Sequence, residues 1–161
     1  RKAFDVAVQA HKSMRRKSGE PYILHPIAVA RICSDEIGLG PVSVVCALLH
    51  DIGDTLASAN HADLAATMLQ PFVSEENYWI VKHHGIFQGY YFFDFLGLDK
   101  NMRDEYRDSP YWHACAEFCA KYDQNSFDPD YECMPIEEFE PMVRNVFAKP
   151  RNSIYKARDY A

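Results

Sequence analysis

The sequence has no apolar run long enough to span a bilayer, no signal peptide and no lipidation motif, which points away from a membrane partner. It has no basic surplus either. Its 17 Lys and Arg stand against 23 Asp and Glu, for a formal charge of −6 and an isoelectric point near 5.6, which argues against a nucleic-acid polymer as ligand. No segment alternates apolar and polar residues convincingly in the two-residue period of a strand, and no internal repeat or low-complexity tract is present. The five cysteines (Cys33, Cys46, Cys115, Cys119 and Cys133) are odd in number and lack zinc-ribbon spacing. Reduced core thiols in a cytoplasmic protein are the simplest account of them.

What is there is a 161-residue chain, 48% hydrophobic, enough for one domain with a real core. Apolar residues recur with helical spacing through most of it, and the expected fold class is all-α, a helical bundle over residues 1–148 followed by a polar tail over 149–161. The first amphipathic helix is expected over 2–16 and ends in the basic run Arg15-Arg16-Lys17 before Gly19 and Pro21. A second covers 22–37, with His25 near its start and Pro26 tolerated in a first turn. The third, from Pro41 through Val44, Val45, Ala47, Leu48 and Leu49, is apolar almost all round, hence central, and delivers His50 and Asp51. Asn60 is expected to cap a helix over 61–69, and Ser74 one that Gly85 ends after His84. The aromatic run 86–98, broken by Gln88, Gly89, Asp94 and Gly97, reads as core or pocket wall. A short charged helix over 100–107, a helix from Ser109-Pro110 to Asp123, a loop over 124–131 and a last helix from Pro135, kinked at Pro141, complete the chain.

The stretch Ala47-Leu48-Leu49-His50-Asp51 ends an apolar run in a polar pair. Taken alone, such a pair reads as a solvated helix end. Its company changes the reading, because His25, His61, His83, His84 and Asp123 also lie in or beside helical segments, and helical bundles build metal sites from side chains projecting between helices. Imidazole with carboxylate favours a borderline divalent ion such as Fe, Mn or Zn over Ca or Mg. A carboxylate beside one His ligand can bridge two ions. His25, His50 and Asp123 would then hold one, and His61 with one of His83 and His84 the second; adjacent histidines diverge by about 100° on a helix, so only one of that pair should point inward.

His25, His50-Asp51 and Asp123 resemble the H…HD…D signature of the HD-domain superfamily of metal-dependent enzymes, an all-helical fold. Two branches are evoked. Residues 1–51, above all Arg15-Arg16-Lys17-Ser18-Gly19-Glu20-Pro21-Tyr22-Ile23-Leu24-His25-Pro26 and Ala47-Leu48-Leu49-His50-Asp51, are similar to the hydrolase domain of RelA/SpoT alarmone enzymes. That family usually follows its HD with an acidic Glu-Asp pair and supplies the last ligand from an Asp-Arg-Leu-His-Asn helix. Here Ile52-Gly53-Asp54 and Gln124-Asn125-Ser126 stand in those places. Residues 50–147 resemble the branch that includes phosphonate-cleaving diiron oxygenases and, more distantly, myo-inositol oxygenase, through Asn60-His61-Ala62-Asp63, Val81-Lys82-His83-His84, Arg103-Asp104-Glu105-Tyr106-Arg107, Tyr122-Asp123-Gln124 and Pro135-Ile136-Glu137-Glu138-Phe139-Glu140-Pro141. The change at His50-Asp51 makes the chain look composite.

The resemblance implies a metal set of His25, His50, Asp51, His61, His84 and Asp123, with His83 behind it, and one or two divalent transition-metal ions, Fe or Mn. The function expected from it is hydrolysis of a small phosphorylated or nucleotide substrate by a metal-activated water. Asp54 and Lys82 are the candidate catalytic residues, and Arg16, Lys17 and Arg103 the candidate substrate-binding residues. Asp54 reads equally as a surface acid at a helix end, and the basic run as a solvated one. A mixed-valence diiron oxygenase is the alternative, and a binding protein with a vestigial site the third reading. The expected partner is a small anionic substrate; the aromatic segment and the final helix are surfaces on which a homo-oligomer could form.

Overall fold

The computed structural model describes residues 15, 19, 21–127 and 135–151. Among them there is no strand, only an isolated bridge between Arg15 and Pro21, and the architecture is an all-helical bundle. No helix among these residues is long and apolar enough to cross a membrane. The helix expected over 2–16 lies outside the described residues, as do Arg16, Lys17 and Cys133.

The element order is α1 (Leu24–Arg31), α2 (Pro41–Leu49), α3 (Asp54–Ala57), α4 (His61–Leu69), α5 (Glu75–Gln88), α6 (Trp112–Glu117) and α7 (Glu140–Ala148). Two helices widen into π-helical turns, α1 over Ile32–Glu36 and α6 over Phe118–Asp123. Helix α2 is the centre. Val44, Val45, Cys46, Ala47, Leu48 and Leu49 are all buried, so no face of its second half meets water, which is how a helix surrounded by others reads. It packs on α1, α5 and α7, while α4 and α5 form the most extensive helix pair. Ile27, Val29, Leu69, Val81, Phe87, Phe139 and Val143 complete the core, each contributing roughly 1.5–3 kcal/mol by burial.

Local chemistry accounts for most of the ends. Pro41 opens α2, where its missing N–H leaves no bond unmade. Ser74 accepts from the Asn77 backbone N–H at 3.2 Å and caps α5. Gly38, at φ 70°, takes the left-handed turn that ends the π-helical extension of α1.

Several expectations are corrected. Gly85 does not stop α5, which runs on to Gln88; among its neighbours α4 packs alongside, and Gly85 sits opposite the His61 ring. Asn60 precedes α4 without a side-chain cap bond. Pro141 does not kink the last helix, because α7 begins at Glu140 and the proline falls in its first turn, where it is tolerated. The loop expected from Gln124 begins as a 3-10 turn over Gln124–Phe127, and the segment over 100–107 is 3-10 rather than α-helical, Met102–Tyr106. The four described cysteines are free and buried, and burial pushes the Cys33 and Cys46 thiols up to about 12.

Candidate metal centre

Five elements meet at one point. α1 brings His25, the turn after α2 brings His50 and Asp51, α4 and α5 bring His61 and His84, and the π-helical end of α6 brings Asp123. A π-helical turn rotates the side chains that follow it, and such turns recur at functional sites. Gly53 makes the approach of α4 feasible: a Cβ there would lie within 2.7 Å of His61 Cα.

The two oxygens of Asp51 face different histidines. Oδ2 lies 3.3 Å from both His25 Nε2 and His50 Nε2, and Oδ1 lies 3.1 Å from His84 Nε2 and 3.6 Å from His61 Nε2. Asp123 joins the first group, its Oδ1 3.0 Å from His25 Nε2 and 3.7 Å from His50 Nε2. His25, His50 and Asp51 form one set with ligand atoms close enough to hold an ion, and Asp51, His61 and His84 form another.

The far side of each ring fixes its tautomer. His50 Nδ1 is 2.7 Å from the Ala47 carbonyl, His84 Nδ1 2.7 Å from that of Val81, and His61 Nδ1 lies between the Ser58 carbonyl at 3.3 Å and Asp54 Oδ1 at 3.2 Å. Carbonyls and carboxylates only accept, so Nδ1 carries the proton in all three. His25 Nδ1 donates to Ser126 Oγ at 2.6 Å, and that hydroxyl donates onward to the Asp123 carbonyl. Each ring therefore turns its Nε2 lone pair inward, towards a carboxylate oxygen. His61 Nε2 and His84 Nε2 also face each other, 3.2 Å apart. Acceptor against acceptor is repulsive unless a proton or a cation lies between.

Burial sharpens the conflict. Among the described residues His50 Nε2 and Asp123 Oδ1 are buried without a hydrogen-bond partner, a rare condition in folded proteins. With protons as the only cations, burial opposes charge on His25 and His50, yet the facing carboxylates outweigh it and raise both above the usual imidazole value. Burial likewise opposes ionisation of Asp51 and Asp123, but the histidines outweigh it and hold both below the carboxylate range. The donor set of neutral imidazoles and carboxylates, each ring braced from behind, fits a divalent transition-metal ion.

A cleft of about 480 Å³ opens over this centre, lined by Tyr22, Asp54, Asp63, Lys82, Gln88 and Phe92 among others. Tyr22, not singled out from the sequence, donates from its hydroxyl to Asp51 Oδ2 at 2.8 Å. Burial, then the charges of Asp51 and Asp54, push its pKa far up and keep that proton in place. Its position three residues before His25, in the helix's entry turn, was the available signal. Ser126, also missed, follows Asp123 by three residues.

The other candidates divide. Asp54 lies behind His61, on its Nδ1 side, and borders the cleft. Lys82 borders the cleft, half-exposed, with Nζ 3.9 Å from Asp63. Arg103 is not among the cleft residues: its guanidinium stacks 3.5 Å over the Tyr90 ring and lies beside Trp112. His83 faces away from the centre, stacked on Trp79 with ring centroids 4.0 Å apart.

The fold and the cluster define a class, an all-helical protein carrying a buried histidine–aspartate constellation able to hold metal. No protein-family profile matches the chain. Short local similarity is found to RelA/SpoT-type proteins. The chain is 54% identical over 50 residues to a probable GTP pyrophosphokinase of Mycobacterium leprae, 31% of this chain and 6% of that protein. It is 52% identical over 50 residues to the bifunctional (p)ppGpp synthase/hydrolase RelA of Mycobacterium tuberculosis, 31% of this chain and 7% of that one. The GTP pyrophosphokinase of Myxococcus xanthus matches at 48% over 59 residues, 36% of this chain and 8% of that protein. The chain thus spans only 6–8% of the length of these relatives.

Proposed function

We propose that this protein is a metal-dependent phosphohydrolase acting on a small phosphorylated or nucleotide substrate. His25, His50, Asp51 and Asp123 would hold one divalent ion, and Asp51, His61 and His84 a second, with Asp51 between them. The observation that carries this reading is the set of four inward Nε2 lone pairs set against carboxylate oxygens. Such ions, when bound, polarise a phosphoryl group and lower the pKa of coordinated water.

The remaining work falls to the chain's own side chains. Tyr22 holds Asp51 by its hydrogen bond and keeps that carboxylate from turning. Asp54 accepts a hydrogen bond from His61 Nδ1, which fixes that ring's orientation, and from the cleft wall it would also accept a proton from a bound water. Lys82 is the cation of the described cleft wall and offsets phosphate charge. The cleft volume suits a ligand of nucleotide size, and the named relatives carry GTP and (p)ppGpp in their names.

Metal content and turnover together test this. The expected result is about two divalent ions per chain and phosphate release from part of a nucleotide and sugar-phosphate panel with manganese. Two irons in a mixed-valence state, with oxygen uptake on hydroxy-phosphonates or polyols and no phosphate release, would replace it by the oxygenase reading. Metal without either chemistry would leave a binding protein.

A further inference from the structure

Gln88 lies on α5 four residues beyond His84, so the two side chains share a face of the helix and a wall of the cleft. The residue is 9% exposed. Its Nε2 donates to Gln124 Oε1 at 3.0 Å, and Gln124 follows Asp123 directly. The amide pair therefore ties together the elements that carry His84 and Asp123. One atom is left over. Gln88 Oε1 is buried and has no hydrogen-bond partner among the described residues.

A buried amide oxygen beside a cleft and without a donor is uncommon in a finished core, because burial strips its water and returns nothing. Phe92 and Phe93 line the same cleft with apolar rings, and Phe93 packs directly over Gly89, where any side chain would collide with the ring. The pairing with Gln124 uses the amide's donor end and leaves its acceptor end unpaired among the described residues.

We propose that Gln88 Oε1 is the acceptor of a substrate subsite, taking a hydrogen bond from a donor group of the substrate, a hydroxyl or an ammonium, beside the phosphoryl group that reacts at the His/Asp centre. This rests on the phosphohydrolase reading for the identity of the reacting group. Gln124 is a positioning residue that sets which end of the Gln88 amide faces the ligand. A site built around a buried acceptor rejects a ligand lacking the donor far more strongly than an apolar wall distinguishes shapes.

The test uses manganese-loaded protein and ligand pairs that differ in one donor: 3-hydroxypropyl phosphate against propyl phosphate, guanosine 5′-diphosphate against its 2′-deoxy form, and phosphoethanolamine against ethyl phosphate. Binding is measured by calorimetry and phosphate release in parallel. At least one donor-bearing member should bind about tenfold or more tighter than its partner. That ratio should fall to within about threefold of unity in Gln88→Met and in Gln88→Leu, and survive in Gln124→Glu, whose carboxylate can only accept and so keeps the Gln88 amide in the same orientation. Which pair separates tells hydroxyl from ammonium. Failure of every pair to separate in the unmodified protein, or a ratio unchanged in both Gln88 variants, overturns the subsite. Selective binding without phosphate release overturns the hydrolase reading and leaves the subsite standing.

Discussion

The two halves of the His/Asp centre are built differently. On one side His25, His50 and Asp123 have side chains 2%, 1% and 3% exposed, braced by Ser126 and by the Ala47 carbonyl. On the other, His84 is as deeply buried at 3%, but His61 is 26% exposed and belongs to the cleft. Asp51 is common to both. The closed half resembles a structural site, whose loss is felt by the fold, and the open half one that meets ligand. Metal sites in proteins divide in the same way, between closed shells and shells with an accessible position.

Breaking the shared residue should have the largest effect. Asp51→Ala is expected to remove both ions and to lower activity by about a thousandfold or more, read by metal analysis and by turnover of any substrate found. Retention of both would sink the centre. In the closed half, His25→Ala should cost metal and about 3 kcal/mol of folding stability, because it strands Asp123 in the core; a denaturant titration of the metal-free protein reads this separately from metal loss. In the open half, His61→Ala should reduce activity and the second ion while the denaturation midpoint stays within about 0.5 kcal/mol of the parent. Equal destabilisation by the two variants would erase the contrast.

pH sharpens the comparison further. In the metal-free protein Asp51 and Asp123 lie below their ordinary value of 3.8, so the stability they add is present above it and is lost as the pH falls through their folded values. His25 and His50 lie above 6.5, so theirs is complete below that pH and is lost as the pH rises through the folded values. The metal-free melting temperature should thus be highest between about pH 4 and 6.5 and fall towards pH 9. Metal competes with the same protons and should reverse the alkaline limb. Parallel slopes with and without manganese would show that these rings do not bind it. The smallest effect is expected from Ser126→Ala, about tenfold in affinity for the closed-half ion, with the open half unaltered.

Much of the helical content could be read along the chain. Ser74, Pro41 and the apolar run of 44–49 each act through neighbours in sequence, and so each left a local signature. Gly85 and Pro141 misled because both carry breaking propensities that context overrides: α5 is held by packing along α4, and Pro141 lies where a helix has no bond to lose. Arg103 stands in a stretch that carries the resemblance to the oxygenase branch, and its guanidinium packs on the rings of Tyr90 and Trp112. Tyr22 and Ser126 were passed over because a hydroxyl carries no metal signature in a sequence.

The sequence by itself determined that this chain would be helical and that imidazoles and carboxylates would stand at helix ends, since both follow from periodicity and residue chemistry. Tertiary structure decided which of two adjacent histidines turns inward, that the two oxygens of Asp51 face different partners, and that a buried glutamine oxygen has no hydrogen-bond partner among the described residues. Those outcomes depend on side-chain directions fixed by helices more than twenty residues apart, and a spacing rule reaches only about one turn.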